Sequence, residues 1–522
     1  MTRRFVRLAP LVLVCLSFVR PCSGATPSEA RTARYLESIR KNPGLLLAFL
    51  REMPKGADLH NHLSGAVYAE SLIRWAADAD DCVDPKTLQL TAPPCKGMSN
   101  TVPAGNAFSD PVLYRNMIDA FSMRNWRHSG QSGHDQFFDT FEKFDAVTHA
   151  NTGKMLAGTA ARAASQHEIY QELMLTPTGD GFKELVQKTS WSDDLVQMQK
   201  QLAENGMDKA IAESLAQIDA AEAVREEALH CGKDDANPGC EIPQRYLFQV
   251  LRGLPKNVVF AQMVLGFELA SRDERFVGIN LVMPEDYYVP MQDFRIHMRM
   301  LQYLHSVYPK VHIALHAGEL ATGMVPPEGL EFHIRDSVEV AHAERIGHGV
   351  DIMSENRPLA LMQEMAQRNV MVEICLTSND LILGVSGKDH PLHQYMRAGV
   401  PVALATDDEG VSRSNMTLEY LKAVQEQELT YPQLKNMART SLDHAFLPGV
   451  SLWGNAKTFA MVKDCAADRP GFKAPSDRCQ AFLDDSEKAQ LQWKLETQFA
   501  DFESRNWLLV APTAESSQAA AR

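Results

Sequence analysis

Val311-His312-Ile313-Ala314-Leu315-His316-Ala317-Gly318-Glu319 is an apolar run that ends on a histidine, a small-residue turn and an acid. Three other runs end in the same way. Asp58-Leu59-His60-Asn61-His62 lies upstream; Arg345-Ile346-Gly347-His348-Gly349 and Val402-Ala403-Leu404-Ala405-Thr406-Asp407-Asp408 lie downstream. Metal-ligand residue types that repeatedly end strand-like runs predict a barrel whose strand tips converge on one ion. The segments 169–175, 258–266, 276–282 and 370–376 read as further strands, which makes eight with those quoted. Helical segments alternate with them, implying parallel pairing through right-handed crossovers. The expected fold is α/β: a (β/α)8 TIM barrel with helical additions and disulfide-stapled insertion loops.

At 522 residues the chain is long enough for one such barrel with insertions. Its net charge of −14, with no Lys/Arg block to offset it, argues against a nucleic-acid or anionic-membrane surface. Arg3, Arg4 and Arg7 precede an apolar stretch, 8–19, too short to span a membrane comfortably, and Ser23-Gly24-Ala25 offers small residues for cleavage. Residues 1–25 therefore read as a signal peptide, and the protein as exported, periplasmic or extracellular, without membrane insertion after leader cleavage. Neither leader cysteine, Cys15 or Cys22, has the small preceding residue of a lipid-attachment site. Six of the other cysteines fall as local pairs, Cys82 with Cys95, Cys231 with Cys240 and Cys465 with Cys479, each around a polar loop, as expected of disulfides in an oxidising compartment. Cys375 is left as a buried free thiol. The single catalytic-scale domain is expected over 26–510, with insertions near 80–105 and 183–245 and a flexible tail at 511–522. The segment 32–52 reads as two short helices divided at Pro43-Gly44, and 182–227 as one long helical stretch. Phe137, Phe141 and Phe144 recur at helical spacing, which core packing explains; a pocket wall is the sharper reading.

Side chains alternate along a strand, so His60 and His62 face the same way and can chelate one ion. His316 adds a third nitrogen and Asp407 an oxygen, a set that suits zinc with an open water position. Glu319 lies one turn beyond His316 if a helix starts there, placed as a general acid or base; a helix-start carboxylate is the plainer alternative. His348, between Gly347 and Gly349, has room to orient an attacking hydroxide. Asp407 and Asp408 cannot both face the centre alike, so one binds metal and the other substrate. His390-Pro391-Leu392-His393 has the look of a metal motif but falls in a loop, and is read as structural.

These residues resemble the adenosine deaminase family. The resemblance rests on His60-Asn61-His62, His316-Ala317-Gly318-Glu319, Gly347-His348-Gly349, Ser378-Asn379 and Thr406-Asp407-Asp408, in the family's order from about Lys55 to Asp408. The Met53-Pro54-Lys55-Gly56 lead-in, the leader and the stapled insertions are similar to its secreted, growth-factor-like branch. The resemblance implies one zinc per chain, held by His60, His62, His316 and Asp407, and hydrolysis of the exocyclic amine of a purine nucleoside, adenosine to inosine and ammonia. It implies that Glu319 protonates the ring nitrogen, His348 positions the hydroxide, and Asp408 hydrogen-bonds the purine. Two positions depart from the family pattern: Ser64 stands where an aspartate contacts ribose, and Met283 near a glycine that lets backbone approach the purine. A modified purine or related cyclic substrate stays open for that reason, as does a homodimer. A binuclear amidohydrolase would need a bridging lysine after the fourth strand, and 276–286 contains none. A non-catalytic nucleoside-binding or signalling protein would not need Glu319, His348 and both aspartates together.

Overall fold

The computed structural model describes residues 26–95 and 100–505; the expected leader and the 511–522 tail lie outside the described residues. Eight strands form one sheet in sequence order: β1 (Gly56–His62), β2 (Glu168–Leu175), β3 (Gln244–Leu251), β4 (Phe276–Val282), β5 (His312–Ala317), β6 (Arg345–His348), β7 (Met371–Ile374) and β8 (Val402–Leu404). Every neighbouring pair is parallel. The sheet curls back on itself through a parallel bridge between Asn61 and Asp407. There the Asp407 N–H donates to the His60 carbonyl at 2.8 Å, and the Asp407 carbonyl accepts from the His62 N–H at 3.1 Å. Closure of the barrel and assembly of the candidate ligands therefore happen at one place.

Helices cover the outside, so a barrel strand is buried on both faces and loses the alternation of a half-exposed one; all eight residues of β2 are buried. The same logic corrects one expectation. Residues 258–266 are not the third strand but lie inside the helix Lys256–Arg272, where Val259 to Phe267 are all buried. The third strand is Gln244–Leu251, whose polar residues hid it. The stretch 182–227 is also not one helix. It divides into Asp180–Lys188, Leu195–Asn205 and Met207–Ala228, the last break falling at Gly206, whose φ of 120° ends the preceding helix.

At the N-terminus, helices Pro27–Ile39 and Pro43–Glu52 are each capped by a side chain, Thr26 and Asn42. The chain then enters β1 past Lys55, a buried cation whose Nζ donates to the carbonyls of Met53 (2.9 Å) and Gln166 (2.7 Å). Burial pushes its pKa down to about 7. The three expected disulfides are present, Cys82–Cys95, Cys231–Cys240 and Cys465–Cys479, and Cys375 is free and buried. Among the described residues no helix is long and apolar enough to cross a membrane.

Candidate active site

The C-terminal strand ends bring His60, His62, His316 and Asp407 together, with one donor atom from each lying within 4.8 Å of the others. The Nε2 atoms of His62 and His316 are 3.1 Å apart. Asp407 Oδ1 sits 3.4 Å from His60 Nε2 and 3.3 Å from His62 Nε2. On the far side of each ring, Nδ1 meets an oxygen: Glu373 Oε2 for His60 at 2.7 Å, Gln249 Oε1 for His62 at 2.9 Å, and Asn280 Oδ1 for His316 at 2.9 Å. An oxygen at Nδ1 takes the ring proton and leaves Nε2 with its lone pair, the arrangement by which an outer shell orients metal-bound histidines. Gly347 makes room for this. A Cβ there would lie 2.5 Å from His60 Cε1.

The electrostatics agree. Burial disfavours charge on His60, yet hydrogen bonds to Asp407 and Glu373 and their negative charge push its pKa up to about 10. Asp407 is buried too, which alone would raise it, but His60 and His62 hold it well below the usual carboxylate range. The cluster favours positive charge at its centre, where the buried His60 Nε2 has Asp407 Oδ1 at 3.4 Å. A divalent cation fits that donor set: three imidazole nitrogens and one carboxylate oxygen.

Beneath the ligands runs a fully buried ion network. Arg345 Nε contacts Glu373 Oε1 at 2.7 Å and its Nη2 contacts Glu172 Oε2 at 2.6 Å. Through Glu373 this network fixes the His60 ring.

Glu319 does not start a helix, as one reading of the sequence had it. It follows Gly318, whose φ is 73°, on an irregular loop, and the next α-helix is His333–Glu339. Its backbone N–H donates to Glu285 Oε2 at 2.8 Å, and Gly318 N–H to Glu285 Oε1 at 3.2 Å. The Glu319 carboxyl is 7% exposed and lies 3.6 Å from His348 Nε2. Burial, reinforced by the charges of Asp407 and Glu285, raises its pKa well above the ordinary value, so it is held as a proton donor. His348 is buried, and burial lowers its pKa to about 3, leaving the ring neutral.

The Ser-Asn pair lies in the first turn of helix Leu376–Leu383. Ser378 Oγ donates to Asp407 Oδ2 at 2.6 Å, while Asn379 Nδ2 is 2.9 Å from His348 Nδ1. Asp408 turns its carboxylate to the cavity side, packed against Gly65, where a Cβ would lie 1.6 Å from its Oδ1. His390 and His393 belong to no candidate metal group among the described residues. His393 lies in the helix Leu392–Ala398 rather than a loop.

Three non-glycine residues at this barrel end hold left-handed backbone: Met283 (φ 86°), His348 (67°) and Asp407 (59°). Such conformations cost on the order of 1–3 kcal/mol each and gather at functional sites. Met283 thus keeps a glycine-like backbone near the place where the family resemblance puts a glycine.

A cavity of about 320 Å³ opens over the cluster. Its floor is His62, His316, Glu319, Asp407 and Asp408; its walls include Ser64, Gln249, Met283, Tyr287 and, from helix Gly133–Ala150, Phe137, Phe138 and Phe141. The phenylalanines therefore form a pocket wall as well as core. A second cavity of about 230 Å³ shares Ser64, Asp145, Gln249 and Leu251 with it. Among the described residues neither is lined by Lys or Arg.

A closed eight-stranded parallel barrel with three histidines and an aspartate at its C-terminal rim defines the class as a parallel barrel with a candidate metal centre at its strand ends. The family model for adenosine deaminase matches residues 192–451, which contain His316, Glu319, His348, Asp407 and Asp408. An adenine deaminase of Cupriavidus necator is 30% identical over 201 residues, 38% of this chain and 52% of its own. An adenosine deaminase of Salmonella heidelberg is 37% identical over 137 residues, 26% of this chain and 38% of its own. The chain thus spans about half or less of the length of the curated relatives it matches. In fold it is similar to an amidohydrolase with bound zinc from Burkholderia ambifaria (TM-score 0.50, 16% identity, covering 77% of this chain and 88% of that one). The chain belongs to the adenosine deaminase family.

Proposed function

We propose that the protein hydrolytically deaminates a purine nucleoside, adenosine to inosine and ammonia, with one zinc ion per chain held by His60, His62, His316 and Asp407. The observation that carries this reading is the convergence of three Nε2 atoms and Asp407 Oδ1, each ring fixed from behind by an oxygen at Nδ1. Zinc in such a site brings the pKa of a bound water to around 7, supplying a nucleophile at neutral pH.

The chain's own residues do the rest. The cavity walls stack and enclose the purine, excluding water. Glu319, held protonated by burial, donates its proton to the ring nitrogen beside the carbon under attack. The ring C=N opens as oxygen adds to that carbon, and His348 orients the incoming oxygen. Asp408, whose Oδ1 has no hydrogen-bond partner among the described residues, hydrogen-bonds the purine edge. The proton of the added hydroxyl then passes to the exocyclic nitrogen, the bond from carbon to that nitrogen breaks, ammonia leaves, and the added oxygen becomes the carbonyl of the product. Ser64 and Met283 face the remainder of the substrate, and because they depart from the family pattern, a modified purine is the alternative substrate.

Charge narrows the choice further. The acid-rich lining offers no cation for a phosphate, so a neutral nucleoside fits better than a nucleotide. Export to the periplasm or the extracellular space is part of the proposal, supported by the leader pattern and by three disulfides.

The test is Glu319→Gln. Turnover should fall by on the order of 10²–10⁴-fold, the usual contribution of a general acid, with zinc content unchanged. Turnover that survives the substitution would remove Glu319 from this role.

A further inference from the structure

We propose that His390 is a positioning residue: through Asn379 it fixes the tautomer of His348, so that His348 presents an Nε2–H donor to the reacting oxygen and cannot serve as a metal ligand. This rests on the catalytic reading of His348 above, but its geometry is independent of any metal.

The direction of the chain is set by one group that cannot be reversed, a backbone amide. Leu392 N–H donates to His390 Nδ1 at 3.2 Å, so Nδ1 carries the lone pair. Burial first, then the charges of Lys422 and His393, lower the His390 pKa to about 4, so the ring is neutral and its single proton is on Nε2. That proton points at Asn379 Oδ1, 3.0 Å away. The amide orientation of Asn379, ambiguous on its own, is thereby decided. Its Nδ2 then donates to His348 Nδ1 at 2.9 Å, and the remaining His348 proton must sit on Nε2. All three side chains are essentially inaccessible: His390 is 1% exposed, Asn379 and His348 0%. No water competes to reverse the order.

The contrast with the three candidate ligands is chemical. Each of them meets an oxygen acceptor at Nδ1 and keeps a lone pair on Nε2; His348 alone meets a donor there. Its Nε2, 3.6 Å from Glu319 Oε1, has no protein partner and faces the site as a donor. Such a group holds an oxygen that bears lone pairs, both as it approaches and as negative charge develops on it. The His-Pro-Leu-His stretch, which has the look of a metal motif and reads from sequence as structural, thus acts through hydrogen-bond polarity.

Two nearly isosteric substitutions separate polarity from packing. His390→Gln keeps a donor toward Asn379, whereas His390→Glu, measured at a pH where its carboxyl is ionised, offers only acceptors, turns the Asn379 amide round and forces a proton onto His348 Nδ1. ¹⁵N spectra of histidine-labelled protein, with His348 assigned by its own substitution, should show unprotonated Nδ1 and protonated Nε2 in wild type and His390→Gln, and the reverse in His390→Glu. In turnover, His390→Glu should lower kcat by on the order of 10²-fold with KM within about threefold, while His390→Gln recovers most of the rate. Protonated Nδ1 on His348 in the wild type, or equal kcat in the Glu and Gln variants, would overturn the proposal. A wild-type protein that deaminates no purine would defeat the functional reading instead, and the spectra would still decide the relay.

Discussion

At the residue scale, the site depends on close approaches as much as on its ligands. Gly65 lets the Asp408 carboxylate lie where a Cβ would stand. Gly65→Ala should therefore displace Asp408 and lower kcat/KM by about 10²-fold while zinc stays bound, because Asp408 is not among the four ligands. Steady-state kinetics beside metal analysis checks this; zinc lost in parallel with activity would mean that Asp408 shares in holding the ion. The grouping of the four candidate ligands was legible in the sequence because alternation along a strand and the order of motifs constrain it. Their supports were not. Gln249, Asn280 and Glu373 each hold one histidine from a different strand, and no spacing along the chain links them to it. The Ser-Asn pair was visible only through the family resemblance; its division of labour, Ser378 to Asp407 and Asn379 to His348, needed coordinates.

At the scale of elements, one strand was misread for a physical reason. A helix buried on all sides gives a continuous apolar run, and residues 258–266 of helix Lys256–Arg272 cannot be told from a buried strand by periodicity. The real third strand carries Gln244, which donates to Leu156 and Thr159 of a flanking helix, Arg245, which pairs with Glu487, and Gln249, which holds His62. Helix Gly133–Ala150 and the segment after β4 are tied across the cavity by His134 Nε2 and Asp286 Oδ1, 3.0 Å apart, beside Phe138 and Tyr287. Burial lowers the His134 pKa, but hydrogen bonds to Asp286 and Asp135 outweigh it and hold the value above that of a free histidine. A raised histidine stabilises the fold fully below the unfolded value of about 6.5 and loses that contribution as pH climbs through the folded one. Hydrogen exchange at residues 133–141, corrected for intrinsic rate, should accelerate between pH 6 and pH 9, and His134→Gln should abolish the difference. Equal protection at both pH values in the wild type would show that the tie does not close the cavity.

At the scale of the whole molecule, the barrel was legible because four motif-bearing runs alternate with helices, and its closure falls on those same motifs at Asn61 and Asp407. The three disulfides close short loops locally, over 13, 9 and 14 residues of sequence. What the fold leaves to chemistry is the substrate, since a barrel of this kind hosts many reactions. The central claim is a one-zinc aminohydrolase acting on a neutral purine nucleoside, and ammonia release from zinc-quantified protein measures it most directly. Adenosine or an adenosine-like nucleoside should release ammonia with one zinc per chain, and AMP should be slower by at least about 10²-fold for want of a cation to meet its phosphate. No ammonia from any purine nucleoside, nucleotide or base, with zinc bound, would contradict the account.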